Sequence, residues 1–256
     1  MVEDKSTVLY AVDGSIARVT LNRPQKRNAL NEELIGSLKD ALRRADNDES
    51  VRVVILAGAG PDFCAGADLS SLQKVSQASV AENLEDARSL MELFILIREA
   101  RIPVIAAVRG RALGGGCGLA LACDLTLAAR SASFGFPEVK IGFVPAMVMT
   151  ILRRNVLEKK AFELLTLGSE ISAEEAGAIG IVNGLLDDEA FDGELEAFSL
   201  RFEGVSRSAV ALTKRLLYQI DGMSFNGALE SGADINAIAR MTKDCRKGIE
   251  RFLKKQ

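Results

Sequence analysis

One stretch, residues 102–138, reads IPVIAAVRGRALGGGCGLALACDLTLAARSASFGFPE and constrains the fold more than any other part of the chain. Its first part, 102–108, is a continuous apolar run, as in a strand buried on both faces. The glycines Gly114, Gly115 and Gly116 make a turn, an apolar segment reads as a short helix, and 125–129 reads as another buried strand. Strand, helix and strand in that order make a βαβ unit with parallel strands. Glycines at the head of a helix also leave bare backbone N–H groups, where the helix dipole favours negative charge.

The flanks extend the pattern. Segments 9–12 and 16–21 surround Asp13-Gly14, a hairpin signal, and Asn22-Arg23-Pro24 ends the second strand. Asn31 is placed to cap a helix running to about Arg44, and 51–57 is a β-branched run expected as a buried strand. Val80, Leu84, Ala87, Met91 and Phe94 follow helical spacing up to Ala100. After Pro145 the pattern is almost wholly helical. It holds a capping box at Ser172–Glu175, a short strand within 179–186, and three or four helices after Asp188 broken near Gly204 and Gly222. The expected class is α/β.

Composition narrows the chemistry. The chain has 256 residues, 48% hydrophobic and 26% charged, which suits a globular core. Its net charge of -3 gives no general attraction to nucleic acid or to an acidic membrane. Histidine is absent, which excludes Ser-His and Cys-His catalysis and histidine-based metal sites. General acid–base work falls to carboxylate, Lys, Tyr or Cys. Cys117 and Cys123 lie in an apolar run and read as buried free thiols. No run reaches the ~18 apolar residues of a membrane span. The acidic N-terminus lacks the apolar core of a signal peptide, so a cytoplasmic location is expected.

Backbone amides at 114–116 suit the stabilisation of an oxyanion. Glu138 stands among Phe134, Phe136, Val139, Ile141 and Phe143, where desolvation would raise its pKa and suit it to proton transfer. The alternatives are an exposed loop acid or a pair with Lys140. Segment 63–69, FCAGADL, has the small residues that let a ligand approach the backbone, although a tight strand-to-helix connection would look the same. The glycine triplet lacks the lysine and hydroxyl of a phosphate-binding loop and does not fit the dinucleotide fingerprint.

Taken together, LNRPQKRNAL (21–30), FCAGADL, ALGGGCGLALACD (112–124), FGFPEVKIGFVP (134–145) and ISAEEAGAIGIVN (171–183) resemble the crotonase superfamily, the enoyl-CoA hydratase/isomerase family, over nearly the whole chain. The resemblance implies a ββα-superhelix of repeated β-β-α units over residues 1–200 and a C-terminal helical region, 201–256, at subunit contacts of a homotrimer or a dimer of trimers. It implies an acyl-CoA substrate whose thioester oxygen is held by the amides of Ala65 and Gly115. Ala65, Gly66, Ala67, Asp68 and Gly115 would line the channel, and Arg27, or a lysine of a neighbouring tail, would meet the anionic end of CoA. No metal or separate cofactor is implied, CoA being part of the substrate.

This chain departs from the family at one place. A hydratase of the family uses two glutamates; the second corresponds to Glu138, but the first falls on Gly118. One carboxylate suffices to move a double bond from β,γ to α,β, whereas hydration shares its proton transfers between two. Losing one carboxylate should cost about 10²–10⁴ in hydration rate. Residues 144–148, VPAMV, offer no nucleophile and suggest an apolar acyl pocket. The expected activity is enoyl-CoA isomerisation. The alternatives are an enoyl-CoA hydratase of fatty-acid or branched-chain acyl-CoA breakdown, and a non-catalytic acyl-CoA-binding protein.

Overall fold

The computed structural model describes residues 6–75 and 77–254. The chain opens with the expected hairpin, β1 (Val8–Asp13) and β2 (Ile16–Leu21), antiparallel and turned at Gly14. A 3-10 turn, Pro24–Lys26, leads to α1 (Glu32–Asn47), where the Asn31 side chain accepts from Leu34 N at 3.0 Å. β3 (Val53–Gly58), the short α2 (Leu69–Val75), the long α3 (Val80–Glu99) and β4 (Val104–Val108) follow. Next come β5 (Arg111–Leu113), α4 (Gly115–Ala122), β6 (Leu125–Ala129) and β7 (Ser133–Gly135). After a 3-10 turn, Pro137–Ile141, the chain forms α5 (Ala146–Asn155), α6 (Glu158–Leu167), β8 (Glu170–Ser172), α7 (Ala173–Ala178) and β9 (Gly184–Leu186). It ends in α8 (Phe191–Leu200), α9 (Arg207–Gln219), α10 (Phe225–Met241) and α11 (Lys243–Leu253).

The main sheet has the order β1-β2-β3-β4-β6-β9 and is parallel throughout except for the β1–β2 pair. A second sheet, β5-β7-β8, is built from strands of three residues, too short for any periodic signal in the sequence. Side chains of β3 and β4 are buried throughout or nearly so, as the uninterrupted apolar runs require. The core lies between the main sheet and α1, α3 and α4, with Leu34, Leu38, Ile55, Leu93 and Ile97 fully covered.

Two sequence expectations change. The apolar stripe expected on α3 is only partly buried: its Phe94 is covered together with Leu93 and Ile97, while Val80 is 85% exposed and Leu84 and Met91 are exposed. Core contact is confined to the C-terminal half of that helix. A reciprocal capping box forms at Ser79–Glu82 instead of Ser172–Glu175. There Ser172 caps Glu175 N, but the Glu175 carboxylate turns to Lys160 at 2.8 Å.

The helical C-terminal region is pinned to the core by one buried lysine. Lys214 of α9 donates to Ile97 O, Ile102 O and Asp124 Oδ2 at 2.8, 3.0 and 2.6 Å. Asp124 also accepts from Val104 N and from the Tyr218 hydroxyl. By contrast, α10 and α11 bury none of their described residues. No helix among the described residues is long and apolar enough to cross a membrane.

Candidate active site

Parallel strands β2, β3 and β4 end at the same edge of the sheet, the edge where parallel α/β sheets place their ligands. Their three following loops are tied into one unit. Asn28, after β2, is fully buried in a left-handed conformation that asparagine tolerates. Its Nδ2 donates to Ala59 O and Asp62 O after β3, at 2.9 and 2.8 Å. Asp62 in turn takes two hydrogen bonds from the Arg111 guanidinium after β4, both 2.9 Å, and these hold its carboxyl below the usual range.

Segment 63–69 runs through this unit and does not present the amide that the sequence reading expected. Ala65 N–H donates to Arg27 O at 3.0 Å, so it is already satisfied within the protein. Ala67 is different. Leu30 N donates to Gly66 O at 2.7 Å and Asp68 N donates to Leu30 O at 2.9 Å, a parallel bridge around Ala67. In such a bridge the straddled residue points its own N–H away from the partner strand. The Ala67 N–H therefore faces outward at an exposed residue, with no acceptor among the described residues.

The glycine-rich turn lies directly against this segment. Gly66, at φ +96, has no space for a side chain: a methyl group would stand 2.9 Å from Leu113 O and 3.7 Å from Gly115 N. Gly114 is the N-cap of α4 and donates to Gly135 O at 2.8 Å. Gly115 is the first helical residue, so its N–H is one of the orphan donors of a helix start. It has no acceptor among the described residues.

Glu138 closes the site from the third side. β7 pairs with β5, which delivers the following 3-10 turn to the head of α4, and the buried rings of Phe134 and Phe136 fix that turn. A methyl group at Gly114 would lie 2.9 Å from Glu138 Oε1. Glu138 Oε2 is buried and has no hydrogen-bond partner among the described residues. Neither Lys140 nor any other cation pairs with this carboxylate among the described residues. Burial pushes its pKa up, partly offset by its own backbone N–H. The site thus combines two amides without acceptors among the described residues with a buried, unpaired carboxylate of raised pKa.

A sequence profile of the enoyl-CoA hydratase/isomerase family matches residues 11–256. The chain belongs to the enoyl-CoA hydratase/isomerase family. It is 41% identical to a putative enoyl-CoA hydratase of Thermus thermophilus, over 95% of this chain and 96% of that protein. A crotonyl-CoA hydratase of Syntrophomonas wolfei is 35% identical over 99% of this chain and 94% of its own. The crystal structure of an enoyl-CoA hydratase from Mycobacterium smegmatis superposes with a TM-score of 0.92 at 33% identity, covering 98% of this chain and 97% of that one. The α/β crotonase fold and an enzyme of this family are therefore what the chain encodes.

Within that family frame, the remaining sequence candidates separate. Asp68 is buried and engaged within the protein, its side chain accepting from Arg23 at 2.7 Å and from Ser70 N and Oγ at 2.9 and 2.7 Å. Burial alone would raise its carboxyl, but Ser70 and Arg23 outweigh that and hold it at about 2. It is a latch for the segment and for the start of α2. Arg27 is exposed, with its carbonyl on Ala65 and its side chain free to meet solvent. Gly118 is buried in α4, among apolar neighbours. The sequence reading placed Ala67 along the channel and Val148 in an apolar run; it missed the open N–H of the one and the contact of the other with Gly118, because amide direction and helix-to-helix contact arise only on folding.

Proposed function

We propose that this enzyme shifts the double bond of an enoyl-CoA thioester from β,γ to α,β, with Glu138 as its only proton carrier. The observation behind the reading is the lone carboxylate: Glu138 has an unpartnered buried oxygen beside the head of α4, and Gly118 supplies no second acid. The Glu138 carboxylate takes a proton from the α-carbon. The electron pair of that C–H bond moves into the dienolate, and the negative charge settles on the thioester oxygen. The N–H groups of Ala67 and Gly115 are assigned to that oxygen, Ala67 replacing the engaged Ala65. Glu138, now protonated, returns the proton at the γ-carbon, and the double bond re-forms between the α- and β-carbons. Protons and electrons balance with no water or cofactor.

Oxyanion donors and a placed base each act through charge that develops in the transition state. A raised pKa brings Glu138 closer to the working pH and improves it as a base for a weak carbon acid. Glu138→Ala is expected to lower isomerisation by about 10²–10⁴ while CoA-ester binding persists. Retention of turnover in that variant would sink the reading.

Hydration is the second reading, and the names of the relatives favour it. The two are separated by incubating the enzyme with β,γ- and with α,β-enoyl-CoA and following mass and ultraviolet absorbance. Isomerisation without mass change on the first, and little water added to the second, supports the one-base reading. Efficient gain of water on the second overturns it.

The exposed Arg27 side chain at the loop edge is assigned to the phosphates of CoA. A homotrimer or a dimer of trimers is the assembly we assign, through α10 and α11. Their apolar side chains, including Phe225, Ile238, Met241 and Phe252, are exposed in the single chain.

A further inference from the structure

Position 118 lies one helical turn along α4 from Gly114, the residue that borders Glu138. Gly118 N–H closes one helical turn onto Gly114 O at 2.9 Å, and residues four apart on a helix share a face. The Gly114 end of that face is where the Glu138 carboxyl stands. A side chain at 118 would start one turn along α4 from that carboxyl. There is no room for even its first carbon. A methyl group there would lie 2.6 Å from Val148 Cγ2 and 3.2 Å from Phe94 Cζ, both side chains being buried.

The obstruction is specific. Val148 is the third residue of α5, and a β-branched side chain inside a helix has one strongly preferred χ1, so its methyl cannot swing aside without strain. Val148 Cβ stands at 3.5 Å from the same point, an ordinary contact. It is thus the valine methyl, and not the backbone of α5, that fills the volume. Phe94 meets the point only with the far tip of its ring.

We infer that Val148 is a specificity-determining residue that sets the reaction type, by occupying the space a second proton-carrying side chain on α4 would need. The inference rests on the one-base reading above and deepens it. With Val148 and Phe94 in place, the surroundings of position 118 are apolar. A single carboxylate can carry a proton from one carbon to another, but adding water also requires a group that orients and deprotonates the water. Gly118 and Val148 act as a pair, so neither substitution alone opens hydration.

The test compares wild type, Gly118→Glu, Val148→Ala and the double variant, each assayed for isomerisation of a β,γ-enoyl-CoA and for hydration of crotonyl-CoA. Neither single variant is expected to hydrate faster than wild type, whereas the double variant should gain about 10²-fold or more. Equal gain in Gly118→Glu alone would show that Val148 blocks nothing. A double variant that keeps its isomerisation and melting temperature but hydrates no faster than wild type would also overturn the inference. A second measurement covers poor folding of the glutamate variants. Gly118→Ala should lower the melting temperature, and adding Val148→Ala should restore part of the loss; an alanine tolerated at 118 without loss removes the basis of the argument. Efficient hydration by the wild type would instead sink the one-base reading itself, and it is read before any variant is made.

Discussion

Glu138 is held where its charge is costly. Burial raises its pKa, so the ionised form that the proposed reaction uses is disfavoured in the native state relative to the unfolded chain. The sign follows: this carboxyl favours folding below its ordinary pKa, and that contribution is lost as pH rises through the raised native value. Glu138→Gln removes the dependence. Its melting temperature, measured against wild type from about pH 4 upward, should gain on wild type as pH rises, with the gap closing in acid. Isomerisation should fall over the same window as pH drops and the base is protonated. A variant that melts below wild type at neutral pH, with the gap unchanged in acid, would show that Glu138 is a structural carboxylate. On the proposed reading, position 138 exchanges stability for activity.

Between elements, the tie that matters most is Lys214 of α9. Its ammonium closes the end of α3 through Ile97 O, reaches Ile102 O, and pairs with Asp124 at the start of β6, all in a nearly dry setting. Asp124 and burial together raise the pKa of the Tyr218 hydroxyl, burial being the larger effect, which keeps that hydroxyl a donor to the carboxylate. Removing one member of such a buried pair leaves an uncompensated charge. Lys214→Met is expected to cost about 3–5 kcal/mol in urea unfolding. Lys214→Met combined with Asp124→Asn should cost less than the sum of the two single changes, the non-additivity expected of partners in contact. Simple additivity would mean that α9 is held by its apolar contacts instead.

For the whole molecule, the unsatisfied feature is apolar surface. Phe225 is 77% exposed, Phe162 is 70% exposed, and α10 and α11 bury none of their described residues. Monomeric proteins rarely leave that much apolar surface open, and closed homo-oligomers cover it with a second copy. Sedimentation is expected to give three chains, or six. Phe225→Asp with Phe252→Asp should shift the distribution toward monomer without unfolding α9, whose anchor is Lys214. A monomeric wild type would remove the assembly and leave those side chains unexplained.

Some of this was written in the linear chain. The hairpin at Asp13-Gly14, the caps at Asn31 and Ser172, and the runs that became β3, β4 and β6 are local signals, because hydrogen bonding and burial period act over a few residues. The buried setting of Glu138 and the helix start at the glycine triplet were legible for the same reason: residue type and neighbours already indicate them. The second sheet was not legible, since a three-residue strand exists only through its partners. Nor was the choice of amide. Ala65 and Ala67 lie two residues apart in one segment, and only the Arg27 and Leu30 contacts decide that the first N–H is taken and the second is free. The emptiness of position 118 is visible as a glycine, but its cause is not. Val148 lies thirty residues away, and it meets that position only because α4 and α5 pack. The sequence by itself determined which groups this protein has for chemistry; tertiary contact decided which of them are engaged within the protein and which are left open, because direction and free volume belong to the packed structure alone.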